Sequence, residues 1–444
     1  ILLGLILLLL LIIEYCLFYF GKKKKGKKKT GCYVRRTLGV ILFLACVIVC
    51  GGGSYMLVKA GNTLDNIAGN VKTTDTVSAY VMTDDPAQTL MDAKDYVFAI
   101  TEKYDYEHTQ KAIEKINETV GTQIHTQVYD NILDMVQALY EGNADAMLMN
   151  VAYVDVVEAQ DGYETFSSRT RTLYDHEEET VVTEDSQTAE KSITTDPFVI
   201  YISGSDTRTL TLTTSRSDVN ILAVVNTQTG KVQLINTPRD YYVYLPNQGA
   251  NDKLTHAGLY GVESSVAALE NLYGIKIDYY VRMNFSGFEA VINSLGGVDV
   301  YSSNDFTVEP IKHYKVGYNH LNGLEALAFA RERHAFSNGD VQRGINQMEV
   351  IKAVIRKMTS PSILANYSDV LDDVSECVMT EVPPSLIYDL VQYQLSGNAN
   401  WQIESYTVTG TGNHLTTYSM PSTTCYVMMP NEGDVSQAKQ LIEQ

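Results

Sequence analysis

A chain of 444 residues with 45% apolar and 20% charged side chains has room for two or three domains and is too apolar for wholesale disorder. Its formal charge is −19, but residues 1–60 carry ten basic side chains against one acidic, which leaves 24 basic and 52 acidic in the remaining 384. That acidic body excludes broad polyanion binding, duplex DNA included, and requires any anionic substrate to be met by a local basic cluster.

Residues 1–20 are uncharged except for Glu14, and residues 37–58 form a second uncharged stretch of 22. At roughly 1.5 Å per residue, each reaches across about 30 Å of hydrocarbon. Between them, residues 21–36 (GKKKKGKKKTGCYVRR) hold seven Lys and two Arg, the mark of a cytoplasmic loop. Residues 1–60 therefore predict a two-helix transmembrane anchor in the cell membrane, with the body outside the cytoplasm. The alternative is a signal-peptide core, but here the charges follow the first apolar run instead of preceding it. Of six cysteines, Cys16, Cys32, Cys46 and Cys50 fall in the anchor, and Cys377 and Cys425 fall in the body. Two cysteines do not decide between a disulfide and free thiols.

Polar, Thr- and Asp-rich residues 61–90 read as a stalk. Residues 91–160 alternate strand, helix, strand, helix, strand, which predicts a small α/β accessory domain. Nothing catalytic is gathered there, and His108 and His125 are expected on its surface. Residues 161–197 read as a connector with one strand near 170–183. Residues 198–444 form the main domain. Strands are predicted at 198–202, 219–225, 232–236, 278–283 and 298–301, and helices at 262–273, 286–295, 344–358 and 386–395. NTQTG at 226–230 predicts a hairpin, so the sheet is mixed. Strands near 402–408 and 425–429 and a last short helix complete it.

This domain places charges at strand ends. Asp206 lies just past one strand and Asp218 just before the next. Two neighbouring carboxylates suit Mg²⁺ or Mn²⁺ held jointly with phosphate oxygens, although both could equally be turn residues or caps. Arg216 precedes Asp218, and Arg239 and Asp240 follow another strand after Pro238. Arg331 and Arg333, two apart in an extended segment, would share one face. Arg343 and Gln347, four apart, share a face of the 344–358 helix, with Asp340 just upstream as a cap or an arginine-orienting carboxylate. Each pair alone could be a solvated surface pair. Together the arginines offer planar forks that match phosphate oxygens. Lys253 could add a point charge or simply be solvated. His256 and His334 are expected in structural or rim roles. No Walker loop, GxSxG or HExxH is present.

Seven motifs occur in order: ISGSDTR, SRSDVNILAVVN, TPRDYYV, DKLTHAG, NFSGFEAVINSLGGVDV, GLEALAFARERHAF and GDVQRGINQ. Together they resemble the LytR-CpsA-Psr (LCP) family of cell-wall glycopolymer ligases over about residues 198–360, and more loosely beyond. The two-helix anchor and small preceding domain look like capsule-type members. The resemblance implies an LCP-type α/β/α layered fold with a central mixed sheet. It implies a phosphotransferase that moves a polyprenyl-pyrophosphate-linked glycopolymer, teichoic acid or capsular polysaccharide, onto a peptidoglycan hydroxyl. Polyprenyl phosphate leaves, and pyrophosphatase side activity is possible when water replaces the hydroxyl. Carried over by motif, Asp206 and Asp218 would hold Mg²⁺, and Arg216, Arg239, Arg331, Arg333, Arg343 and Gln347 would hold the pyrophosphate and head group. Asn346 stands where many members have a second arginine. Asp240 or Asp340 could take the acceptor's proton, or the substrate itself could. A lipid groove is expected from Val266, Leu269, Leu272, Phe285, Phe288, Val291, Ile292 and Leu295, residues an ordinary core would also need. The competing reading is a non-catalytic module that binds lipid-linked intermediates. No nucleic-acid partner is expected.

Overall fold

The chain divides into Ile1–Leu64 and Asp65–Gln444. The computed structural model describes residues 71–182, 196–207, 212–337, 339–360, 378–395 and 401–444, with Ile363 and Val370. The two predicted membrane segments and the loop between them lie outside the described residues, as does Cys377. Among the described residues no helix is long and apolar enough to cross a membrane.

The first sheet uses β1 (Val71–Met82), β2 (Val97–Ile100), β3 (His125–Val128), β4 (Ala146–Asn150) and β5 (Thr170–Val182), in the order β3-β2-β4-β1-β5. Helix α1 (Tyr106–Val120) and helix α2 (Ile132–Glu141) cover its two faces. Alternation along β1 explains both contacts. Val77, Ala79 and Val81 point into the core shared with Ala112 and Ile116 of α1, while Tyr80 points into the core of Met135, Val136 and Leu139 of α2. The Asn131 side chain accepts from the Asp134 amide to start α2, and left-handed Gly142 ends it. Short helices α3 (Val154–Glu158) and α4 (Phe166–Arg169) lead into β5. Residues expected as stalk are thus in part a central strand, and the connector's strand is that strand's partner along its whole length.

The second sheet is mixed, as expected. It comprises β6 (Phe198–Gly204), β8 (Val219–Asn226), β9 (Lys231–Asn236), β12 (Tyr279–Met283), β17 (Val378–Thr380) and β18 (Gln402–Thr407), in the order β17-β12-β6-β8-β9-β18. Pairs β6–β12 and β9–β18 are parallel, and the others are antiparallel. Short β7 (Leu212–Thr213) leaves this region and pairs parallel with β1. The hairpin β10 (Tyr242–Leu245) and β11 (Ala250–Lys253) leads through α5 (Leu254–Ala257) to α6 (Val262–Tyr273). Helix α7 (Phe285–Ser294), the strands β13 (Val298–Ser302), β14 (Phe306–Val308), β15 (Lys312–Tyr314) and β16 (Gly317–Leu321), and α8 (Gly323–Arg331) follow. Then come α9 (Gly339–Met358), α10 (Pro384–Leu395), β19 (Gly410–Leu415), β20 (Cys425–Pro430) and α11 (Glu432–Ile442).

Leu222 and Val224 of β8 face a core with α6 and α11, whereas Ile221 and Ala223 face Met348, Ile351 and Ile355 of α9. The sheet therefore lies between helical layers. Strand β13 and helices α7, α8 and α9 enclose a further core around Ile292, Val300, Phe329 and Val350. The first sheet's α2 core continues into Leu259 and Met420 of the second half. Tyr104 Oη donates to the Tyr418 carbonyl at 2.8 Å across that seam.

Candidate active site

Strand register brings the charged loops to one edge of the second sheet. The β6–β8 ladder ends at Gly204 opposite Val219, and the Asp218 amide donates to the Gly204 carbonyl at 2.7 Å. Asp206 and Asp218 therefore leave the same end of neighbouring strands. Strand β9 runs antiparallel to β8 and ends there too, which delivers Pro238, Arg239 and Asp240. Helix α9 begins against this edge. A Cβ on Gly344 would lie 2.5 Å from Asn236 Nδ2, so any larger residue requires that side chain or the helix to shift.

The side chains form a ladder of opposite charges. Arg216 Nη2 lies 2.8 Å from Asp206 Oδ2 and 3.0 Å from Asp155 Oδ2. Arg239 Nη1 lies 2.6 Å from Asp218 Oδ2, and Thr255 Oγ1 donates to Asp218 Oδ1 at 2.9 Å. Burial pushes the Asp218 carboxyl up, but Arg239, Arg216 and Arg343 outweigh it and hold the group below the ordinary carboxylate range. For Asp206 burial comes first and the charge of Asp218 second, and together they exceed the pull of Arg216 and raise the carboxyl. The Nε of Arg216 is buried without a hydrogen-bond partner. An orphaned guanidinium donor at this point fits an anionic oxygen.

Two partly buried carboxylates that oppose one another also fit a divalent cation, whose remaining positions would fall to substrate oxygens. Among the described residues no group of three or more His, Cys, Asp or Glu could hold a metal. Protein ligands alone would thus leave such an ion incompletely coordinated.

The other expected residues divide. Asp240 Oδ1 lies 3.4 Å from Lys253 Nζ, so that lysine's contact is a neighbouring carboxylate. Arg331 is the last residue of α8 and not part of an extended segment. The Asn322–Glu325 capping box starts a helix there, and the apolar run Ala326–Ala330 buries it. The Arg331 guanidinium lies over the Phe285 ring, 4.4 Å from its centroid. Arg333 is exposed, with Nε 3.4 Å from His334 Nε2. The two arginines therefore do not face one shared partner. Gln347 is half-buried one turn beyond Arg343 on α9. Asp340 lies in the first turn of α9, and its side chain is outside the described residues. Asn346 is buried: it accepts from Gln342 and donates to the Phe329 carbonyl at 3.1 Å. It ties α9 to α8 and does not face the site charges.

The lipid groove needs correction. Helices α6 and α7 pack into separate cores, with Leu269, Ile292 and Leu295 fully inside them. Val266 and Leu272 pack against the α6 core. Phe288 and Val291 pack against the α7 core in the same way, and half-buried Phe285 lies under Arg331.

Several residues escaped the sequence reading. Arg282 is buried in β12 and donates to Ser217 Oγ (2.9 Å), Ser203 Oγ (3.2 Å), and the Ser215 carbonyl (2.7 Å) and Oγ (3.1 Å). It pins the loop that carries Arg216. The signal was present as an arginine inside the apolar strand YYVRM. A Cβ on Gly258 of DKLTHAG would lie 2.6 Å from the Ser215 carbonyl, so the same loop also needs this glycine. His256 is structural: Asp252 Oδ1 and Ser419 Oγ both lie 2.7 Å from its Nδ1, and Asp252 Oδ2 accepts from the Ser419 amide. All three are buried, and both partners share one ring nitrogen, so this is a clamp and not a relay. His125 is exposed as expected, but His108 is half-buried among carboxylates.

A sequence model of the LytR_cpsA_psr family matches residues 157–434. The polyisoprenyl-teichoic acid–peptidoglycan teichoic acid transferase TagU of Bacillus anthracis is 33% identical over 230 residues, 51% of this chain and 75% of that protein. TagT of Bacillus subtilis strain 168, a transferase of the same description, is 38% identical over 192 residues, 41% of this chain and 59% of that one. Among solved structures, B. subtilis TagV aligns over 56% of this chain and 96% of its own, at 29% identity and a TM-score of 0.47. The family model covers well over half of the chain, and the chain belongs to the LytR_cpsA_psr family.

Proposed function

We propose that this chain attaches a polyprenyl-pyrophosphate-linked glycopolymer, teichoic acid or capsular polysaccharide, to peptidoglycan through a phosphodiester. Transferase names on relatives that share the motif region support the reaction class. The observation that carries it is the buried, orphaned Nε of half-buried Arg216, set among arginines already gathered at one sheet edge.

In the reaction, an acceptor hydroxyl oxygen forms a bond to the sugar-bearing phosphorus, and the bridging P–O bond to polyprenyl phosphate breaks. Catalysis then needs positioning and charge neutralisation more than covalent help. Arg216, Arg239 and Arg343 converge on Asp218 and would exchange that carboxylate for phosphate oxygens, where charge grows on the leaving group. A Mg²⁺ held by Asp206 and Asp218 would supply further charge neutralisation. Asp240, which pairs with Lys253 at 3.4 Å, or Asp340 would take the acceptor's proton. Phe285 would meet the first isoprene unit, with Arg331 over its ring at the phosphate. The apolar segments at 1–20 and 37–58 would anchor the chain in the cell membrane, with the body outside the cytoplasm and the first sheet as an accessory α/β domain.

The test supplies the full chain with Mg²⁺, a polyprenyl-pyrophosphate-linked oligosaccharide and uncrosslinked peptidoglycan, and looks for a sugar–phosphate adduct by mass spectrometry. Arg239→Ala should lower its formation by about 100-fold or more, the scale of losing a group that stabilises transition-state charge. Release of polyprenyl phosphate without adduct would overturn the transferase in favour of hydrolysis. Binding without turnover would make it a holding module.

A further inference from the structure

A cleft of about 570 Å³ lies between the first sheet and the Asp206–Arg216 pair. One wall is the face of β1 that carries Tyr80 into the α2 core. Beyond that core the same face continues as Ser78, Thr76 and Thr74. Asp175 of β5 stands opposite Ser78 in the register and accepts its hydroxyl at 2.6 Å. The other wall is Arg216, whose unpartnered Nε and salt bridges to Asp206 and Asp155 were described above.

We infer that this cleft is a subsite for a neutral, polyhydroxylated sugar next to the pyrophosphate position. The inference rests on the donor reading proposed above. The lining chemistry selects the ligand. Carboxylates Asp155, Asp175 and Asp206 outnumber the arginines Arg171 and Arg216, so the cleft as a whole disfavours a second phosphate. A stripe of threonine and serine hydroxyls would be stranded by an acyl or isoprenoid chain. A sugar ring satisfies both: its hydroxyls donate to carboxylates and accept from Thr, Ser and Arg. The volume falls within the roughly 300–1,000 Å³ of small-ligand sites. Since the cleft opens beside Asp206 and Arg216, the sugar joined directly to the pyrophosphate reaches it without a spacer. With the donor's sugar there, the first sheet would act in choosing which glycopolymer is transferred. A peptidoglycan sugar shares the chemistry, so donor and acceptor must be separated by experiment.

The experiment measures binding of the full chain to polyprenyl pyrophosphate and to polyprenyl-pyrophosphate-linked N-acetylglucosamine, and KM for a glycan acceptor. The unaltered chain should prefer the glycosylated donor by about ten-fold, the yield of one or two net hydrogen bonds. Thr76→Val and Asp175→Asn should each bring that ratio close to one. A ratio that stays put while acceptor KM rises would support the sugar subsite and assign it to the acceptor. Equal affinity for both donors in the unaltered chain, with acceptor KM unmoved by either variant, would overturn the subsite and leave the transferase reading standing. Equal weakening of both donors would overturn it too, as the mark of a purely structural role. Failure of the unaltered chain to bind either donor would instead overturn the donor reading beneath it.

Discussion

His108 shows how far one residue can depart from its sequence context. Its Nδ1 pairs with Asp105, and its Nε2 lies 3.9 Å from Asp75 Oδ2 and 4.0 Å from Glu178 Oε2. The hydrogen bond to Asp105 outweighs burial, and with the charges of Asp105, Asp75 and Glu178 it raises the imidazole from 6.5 to about 9. A base whose folded pKa lies above its unfolded one contributes stability in full below the unfolded value. That contribution is present below pH 6.5 and disappears as pH rises through 9. The His108 ring resonances should therefore titrate near 9 by NMR, and Asp105→Asn should bring the midpoint down toward 6.5. Asparagine tolerates the left-handed φ of 50° at this position, so the backbone survives the change. A midpoint near 6.5 in the unaltered chain would sink the account. The sequence showed only a histidine in a polar helix, because its partners come from β1, β5 and a loop. Arg216 and Arg239 were more legible, since each sits beside a strand end that periodicity locates. Arg282 was not, because its role depends on serines from two other segments.

At the scale of elements, the second sheet was read almost strand by strand. Its inner strands β8 and β9 are apolar enough for burial on both faces, and that pattern is hard to mistake. Strand β1 was not read. Its sequence VKTTDTVSAYVM puts hydroxyls and Asp75 where a buried strand would place aliphatics, which is the composition of a stalk. The start of α9 was placed five residues late, since GDVQR lacks an apolar stripe. How closely that helix fits matters for the site. Gly344→Ala should push α9 off Asn236 and move Arg343 away from Asp218. We expect adduct formation to fall about ten-fold or more, with a stability loss of about 1–3 kcal/mol typical of overpacking. Activity and thermal unfolding measured side by side check this. Unchanged activity would mean that the helix start does not position Arg343.

For the whole molecule, the two sheets share one apolar seam. Met420, 1% exposed, lies in the α2 core together with Leu259, although both belong to the second half of the chain. Met420→Ala should cost about 2–5 kcal/mol, and calorimetry should show the unaltered chain losing both sheets in one transition. Two separated transitions, with only the first moved by the substitution, would refute the shared seam. Periodicity could not reveal this, because it reports which face of an element is apolar and not which distant segment covers it. The seam has a tighter counterpart in β7, where Thr73 and Thr74 of β1 register with Leu212 and Thr213. Three residues beyond Thr213 comes Arg216. Tension applied to the chain at Val71, where β1 begins, would load the long β1–β5 ladder in shear and tug on β7 at the same time. Strain applied there would thus reach the Arg216 guanidinium through a single strand, with no ligand carrying the message.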